Sequence, residues 1–487
     1  MMKKSLKVFL AVLLFSTSLW AVEFKIGGVY TAWAQSQHEF WLGKKTAGDS
    51  GFDYNDNYVV QMLRFRIEAA INDNLKAVTR FDMAQGWWGI DNIRRGVDRW
   101  GKTGASSLFD FKDTNFLFHV DQAFVAFRLN DMFAGRIGRM WYGFGHKMMV
   151  DNNYDGIQLD INNVVGKKIT VSWAKVNENG DNLTDQQIGT ADYRDADLYS
   201  IDIMGSNTDG SFSWNAFGFY YSDKSMADSN AFVPDGLQYF KTRFSPQISS
   251  LMALGFAAKY KVGKWTLDGE FNYLTGKDEI NNTVHGAKQM WDINDGNLSG
   301  YNLYLNAKFA ATDKVSVGGV LGMGSGDDDL TKGPGNVNKL RTSGFFYITE
   351  VWEDSIMPDE EGITPQGLGA PNVRAYRELE NTTIVQVNTD IKIIKNLSGF
   401  LSYNYIMSTQ PIYEWNVDGT PNMNGKSSTS LGQEIDFRLK VTPMEKLAFI
   451  LRGGYFMPGD AAGYLINGTN KWMDSAWETK AVVLYKF

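Results

Sequence analysis

The stretch WTLDGEFNY, Trp265–Tyr273, alternates without a break. Trp265, Leu267, Gly269, Phe271 and Tyr273 share one parity, and Thr266, Asp268, Glu270 and Asn272 share the other. A period of two belongs to a β-strand with one apolar and one wet face. The pattern recurs along the chain. Leu63, Phe65, Ile67, Ala69 and Ile71 alternate with Met62, Arg64, Arg66, Glu68 and Ala70. Val385, Val387, Ile391 and Ile393 alternate with Gln386, Asn388, Asp390 and Lys392, and Ile435, Phe437, Leu439 and Val441 with Glu434, Asp436, Arg438 and Lys440. These runs are about twice the usual strand of five or six residues. A tilted strand of about 10 residues is what crosses a bilayer.

The composition agrees. The 487 residues hold 49 Gly, 10 Pro and 14% aromatic residues. Mean hydropathy is −0.29, too polar for a bundle of membrane helices. No cysteine is present, which excludes disulfides, thiolate metal sites and a Cys nucleophile. Connections alternate between short ones, such as Asn72–Asn74, Asn130–Met132 and Lys395–Asn396, and long polar ones, such as His38–Asn57 and Gly324–Leu379. Counting them predicts an all-β, closed antiparallel barrel of about 18 strands, with short periplasmic turns, about nine long extracellular loops and residues 22–487 as one domain. Its place is the bacterial outer membrane. The aromatic residues Trp87, Trp88, Trp141 and Tyr142 read as interfacial girdle, with a stacking track for sugars as the alternative.

The first residues, MMKKSLKVFLAVLLFSTSLWA, read as a secretory signal peptide over 1–21, with a basic start and the apolar core Val8–Phe15. Cleavage after Ala21, or after Ser18 as the alternative, removes Lys3, Lys4 and Lys7, so 48 basic and 55 acidic residues become 45 and 55. That acidic balance argues against a nucleic-acid partner. The last residues, AVVLYKF, alternate into Phe487, and the run Val22–Gln37 alternates likewise through Val22, Phe24, Ile26, Gly28, Tyr30 and Ala32. The final strand is therefore expected to close on the first.

A barrel of this size leaves an aqueous lumen, so its inward face must be polar. By parity the expected pore lining is Arg64, Arg66, Glu68, Lys76, Arg80, Asp82, Arg128 and Arg136 in the first third, with Lys168 added. In the later strands it is Asp268, Glu270, Glu434, Asp436, Arg438 and Arg452, with Glu478 and Lys480. The early arginines outnumber Glu68 and Asp82, which predicts a basic wall favouring anions. Asp268 and Glu270 share a face as glycosidase carboxylates do, but in a lumen they read as lining. No catalytic constellation stands out, and neither enzyme activity nor a cofactor is expected. Gly48–Gly51, GDSG, is read as a chance match to a protease motif. The four histidines, His38, His119, His146 and His285, have no ligand spacing, so no metal is expected from them. Asp327, Asp328 and Asp329 are a weak Ca²⁺ candidate, against a plain solvated tip. The segment Gly344–Trp352, GFFYITEVW, is apolar for a loop and is expected to fold inward within 324–379 as a constriction or plug.

Two resemblances follow from particular residues. Leu431–Ala461, with Gln433, Glu434 and Asp436, then Gly454, Phe456 and Pro458-Gly459-Asp460, resembles the closing hairpin of alginate-export-type outer-membrane proteins. Leu63–Met83 and Gly135–Gly145, with Asn153–Asp160, are similar to that family and to related porins. Met140 departs from the Gln that the family tends to place after its Gly-Arg pair. The resemblance implies an 18-stranded barrel with an arginine-lined pore. The end of the chain, Val483, Tyr485 and Phe487, resembles the C-terminal signal read by the barrel assembly machinery. The expected function is passive diffusion of small hydrophilic, anionic solutes, with lipid and lipopolysaccharide around the barrel. The alternatives are export of an anionic polysaccharide, or the sheath of an electron conduit with a cytochrome partner.

Overall fold

The computed structural model describes residues 22–44, 55–88, 118–177, 196–223, 250–278, 296–326, 346–356, 379–416 and 422–487. The expected signal peptide, GDSG, His285 and the candidate Asp327, Asp328 and Asp329 lie outside the described residues, as does most of the 324–379 connection.

Long strands follow one another in chain order. The first are β1 (Glu23–His38), β2 (Asp56–Asn72), β3 (Leu75–Trp87), β4 (Phe118–Arg128), β5 (Phe133–Gly143) and β6 (Asp151–Val164). Next come β7 (Lys167–Asn177), β8 (Ala196–Ser206), β9 (Phe212–Asp223), β10 (Ser250–Val262), β11 (Trp265–Asp278) and β12 (Gly296–Ala310). The last are β13 (Val315–Gly324), β14 (Thr383–Ile394), β15 (Leu397–Tyr413), β16 (Ser427–Met444), β17 (Leu447–Pro458) and β18 (Ala476–Lys486). Each pairs antiparallel with its neighbours, and β1 also pairs with β18, so the 18-stranded sheet closes on itself. This is the predicted barrel, and closure leaves no unpaired edge among the described strands.

The closing register runs from Val29 opposite Lys486 to His38 opposite Trp477. Gly28 donates to the Phe487 carbonyl at 3.0 Å and accepts from its N–H at 3.1 Å. The Phe487 ring stands edge-on to Phe65 at 5.3 Å. A Cβ on Gly28 would collide with that ring and with the Arg64 carbonyl, so this position has room only for glycine.

The two faces of the sheet sort as alternation requires. Leu254, Phe256, Leu267, Phe271, Val387 and Leu401 point outward, with Val387 at 59% and Phe256 at 48% exposure. An apolar surface this extensive requires lipid. Aromatic residues mark its limits, Tyr260 and Trp265 beside one rim and Tyr273, Tyr405 and Tyr455 higher up. About eight residues separate Trp265 from Tyr273, which at about 3.3 Å each and a tilt of about 40° span about 20 Å. That approaches the apolar band of an outer-membrane barrel, about 25 Å.

At one rim the strands join through tight connections, such as Asn72 to Leu75, Val262 to Trp265 and Ile394 to Leu397. At the other rim the connections are longer, with one departure from expectation. Gly143 to Asp151 is short, and it folds into the lumen. A helix, α1 (Asp460–Asn467), follows β17, where strand periodicity alone gave no warning of it. Trp141 faces outward as a girdle residue should, with 41% exposure. Tyr142 does not. It faces inward and is 1% exposed, because strict alternation along β5 puts neighbours on opposite faces. Arg136 likewise faces inward beside Gln158, and Arg139 faces outward beside Asp155.

Two apolar clusters fill the lumen near the longer-loop rim. One gathers Phe40, Leu42, Trp352, Phe456, Leu465 and Ile466. The other gathers Tyr142, Phe144, Met149, Phe217, Phe219 and Tyr221. The lumen is therefore polar only over part of its height.

Candidate functional site: the barrel lumen

The inner face of the first strands carries the expected arginines, but they are paired. Arg64 donates to both carboxylate oxygens of Asp82 across the β2–β3 ladder, each at 2.6 Å. The same Arg64 Nη2 that bonds Asp82 lies 3.6 Å from Asp121, and Arg80 bonds Asp121 directly. Arg66 donates to Glu68 at 2.9 Å, and Lys76 reaches the other Glu68 oxygen at 3.1 Å. Arg128 pairs with Asp131 in the following turn. Arg136 and Lys168 share Asp160, at 3.8 Å and 3.1 Å. The expected lining thus needs correcting in its partners. Asp121 turns inward because the β3–β4 register shifts between Arg80 and Phe81, leaving an extra residue in β4. A bulge has no period, so alternation could not find Asp121. Asp160 was legible by parity in β6 and was missed. Even so, among the described side chains, Arg64, Arg66, Lys76, Arg80, Arg128, Arg136 and Lys168 outnumber Glu68, Asp82, Asp121 and Asp160 on the inner faces of β2 to β7.

The wall of β16 to β18, on the other side of β1 from the arginine strands, carries Glu434, Asp436, Arg452, Glu478 and Lys480, and the described part of the long connection, 346–356, docks on it. Glu434 accepts the N–H of Val351 at 2.6 Å and of Trp352 at 2.8 Å through its two oxygens. Arg452 donates to the Tyr347 hydroxyl at 3.0 Å and to Asp354 at 3.2 Å, and lies 3.1 Å from Glu350. Lys480 donates to Asp354 at 2.7 Å and lies 3.0 Å from Glu478. Asp436 accepts from Asn404 at 2.7 Å, and Trp352 stacks on Phe456 at 5.1 Å. Arg438 faces the same lumen and leans on the Phe400 ring at 5.0 Å. Burial pushes the Glu350 carboxyl up to about 7, with Arg452 opposing and Asp354 adding to the rise. Carboxylate oxygens of Glu350, Asp354 and Glu478 come within 4.8 Å of one another. Arg452 and Lys480 already supply the cations there, so the trio reads as a salt-bridge network.

The short connection between β5 and β6 crosses the lumen toward β11. Phe144 stacks on Phe217 at 5.6 Å, and Gly145 donates to Asn215 at 3.3 Å. His146 then meets the two carboxylates expected as lining. Its Nδ1 is 2.9 Å from Glu270 and its Nε2 is 3.0 Å from Asp268, while its backbone N–H also bonds Glu270. With a carboxylate at each ring nitrogen, the imidazolium satisfies both. Burial works against that charge, but the hydrogen bonds to Asp268 and Glu270 outweigh it and raise His146 to about 9. Gly145 has φ +51°, and a Cβ there would strike the Glu270 carboxylate. The His146 ring also lies 5.0 Å from Tyr304, which meets Phe346 edge-on at 5.1 Å. The two inward segments therefore approach each other with Tyr304 between them. Sequence reading missed His146 because its partners are more than a hundred residues away. The available signal was a histidine among glycines in a short connection.

Below this crossing, toward the tight-turn rim, β5 to β11 line an open cavity of about 810 Å³.

No protein-family model matches the chain, and no curated protein matches it. Solved structures do. Pseudomonas aeruginosa OccK1 (OpdK) superposes with a TM-score of 0.51 and 10% identity, covering 96% of this chain and 98% of that one. OpdL of the same organism gives 0.51 and 10% over 96% and 99%, and OccK8 (OprE) 0.50 and 9% over 96% and 98%. At such identities the likeness is one of fold, that of a closed antiparallel β-barrel.

Proposed function

We propose that this protein is a bacterial outer-membrane channel for passive diffusion of small hydrophilic solutes, with a preference for anions. The observation that carries it is a closed 18-stranded barrel, apolar outside, whose inner wall is lined by charged side chains with cations in excess on β2 to β7. A focused positive potential there raises the local concentration of anions. OpdK, with the same fold, is an outer membrane protein that has been solved with vanillate, an aromatic carboxylate. In this reading the tight turns face the periplasm, lipopolysaccharide surrounds the far rim, and the assembly machinery reads Val483, Tyr485 and Phe487. The segments 346–356 and 144–150 form the constriction. Export of an anionic polysaccharide, as in the alginate-export-type proteins that Leu431–Ala461 resembles, is the second reading. The excess of arginines over their partners favours it, and the packed inward segments, which narrow the way for a polymer, rank it second. The test is current through the purified protein in a planar bilayer under a KCl gradient. Open channels with a reversal potential on the chloride side support the proposal, and a barrel that carries no current overturns it.

A further inference from the structure

The cavity below His146 differs in chemistry from the arginine wall. Its floor and side are built from hydroxyls and amides. Thr170 and Ser172 on β7, Ser200 on β8, and Ser213 and Asn215 on β9 all face it. Ser172 lies directly opposite Ser200 across the β7–β8 ladder, and their hydroxyls touch. One hydroxyl donates to the other, so the pair keeps a free hydrogen and free lone pairs for a guest. The roof is different, being made by Tyr142, Phe144 and the backbone of Gly145.

The charges around the cavity are mostly paired. Arg136 and Lys168 share Asp160. Lys259 lies 3.9 Å from Asp268, and His146 sits between Asp268 and Glu270. Asp202 accepts from Asn215. Lys167 leans away over the Trp214 ring, at 5.3 Å. Five cations thus stand against four carboxylates around the space, and all the cations but Lys167 are already held in ion pairs, so an ionic guest would have to compete with those pairs for its partners. A neutral guest with many hydroxyls faces no such competition. It exchanges its water hydrogen bonds for wall hydrogen bonds, and its C–H face can rest under the aromatic roof. The volume lies in the range of small-molecule sites.

We propose that this chamber binds an uncharged, hydroxyl-rich solute of sugar size on its way through the barrel. The proposal rests on the channel reading and adds a second solute class to it, at a place distinct from the arginines of β2 and β3. The test uses glucose and, as its charged relative, gluconate, added to single channels of the full-length mature protein in KCl. Glucose should interrupt the current in a saturable way, and gluconate should do so less well. Replacing both hydroxyls, Ser172→Ala with Ser200→Ala, should raise the half-blocking glucose concentration about tenfold. Conducting channels that glucose does not block, or that gluconate blocks better, would overturn the chamber assignment and leave the channel reading standing. Should the protein carry no KCl current, the channel reading fails. Calorimetric titration of glucose into the detergent-solubilised protein then decides the chamber alone. Saturable heat, weakened about tenfold in the double variant, supports it, and no heat overturns it.

Discussion

Arg64 and Asp82 face each other on adjacent strands of the inner wall and join through two parallel hydrogen bonds of 2.6 Å. Such a fork holds the guanidinium rigidly, and Asp121 presses on it from the next strand. The arginines of this wall therefore act on passing ions as an excess over their partners rather than as bare charges.

Ion selectivity follows from that excess. Changing Asp82 and Asp121 to Asn should free Arg64 and Arg80 and raise the chloride-to-potassium permeability ratio several-fold. Neutralising Arg64, Arg66 and Arg80 together should lower it by a similar factor. Reversal potentials under a KCl gradient measure both. Identical potentials in the two variants would mean that the wall has only a structural role.

The crossing made by His146 should be sensitive to alkali. Its imidazolium is stabilised in the folded state, from 6.5 to about 9. A raised pKa means that the stabilisation is complete below about 6.5 and is lost as pH rises through about 9. Conductance or its noise should therefore increase between those values, as the connection loses its hold on Asp268 and Glu270. In His146→Asn the same steps should be absent. A pH response unchanged in that variant would place the titrating group elsewhere.

The 346–356 segment should loosen over a lower range. Glu350 is raised from 4.5 to about 7, so its contribution is complete below about 4.5 and lost as pH rises through about 7. Glu350→Gln should remove that part of the pH response. Trp352→Ala removes a fully buried ring stacked on Phe456 and should cost about 3–5 kcal/mol of docking. Its conductance should exceed that of the parent at every pH. Equal conductance, or equal protection of the segment from added protease, would remove it from the constriction.

Barrel closure should depend on Gly28. A side chain there meets the Phe487 ring and the Arg64 carbonyl, an overpacking that costs about 1–3 kcal/mol. Gly28→Val should lower the temperature at which the folded band is lost in semi-native electrophoresis. Gly210→Ala, in a tight turn with open space around it, carries the contrasting backbone effect without the collision, because its φ is +69°. A Gly28→Val barrel as heat-stable as the parent would argue against a tightly packed seam.

The sequence alone determined a large part of this protein. Alternation is a local property, set by the geometry of successive residues. Trp265–Tyr273 therefore announced both its strand and its wet face, and repeating that reading gave the number of strands, the closure of β1 on β18 and the inward parity of Arg64, Glu270, Glu434 and Arg452. It also marked Gly344–Trp352 as too apolar to remain in water. What it left open is what each inward residue meets. Asp121 reaches Arg80 through a bulge that interrupts the period. His146 finds Asp268 and Glu270, and Glu434 finds the backbone of Val351 and Trp352, across a lumen that exists only once the sheet has closed. The tertiary structure alone decided these contacts, because closure brings together walls whose separation in sequence places no constraint on which residues will meet.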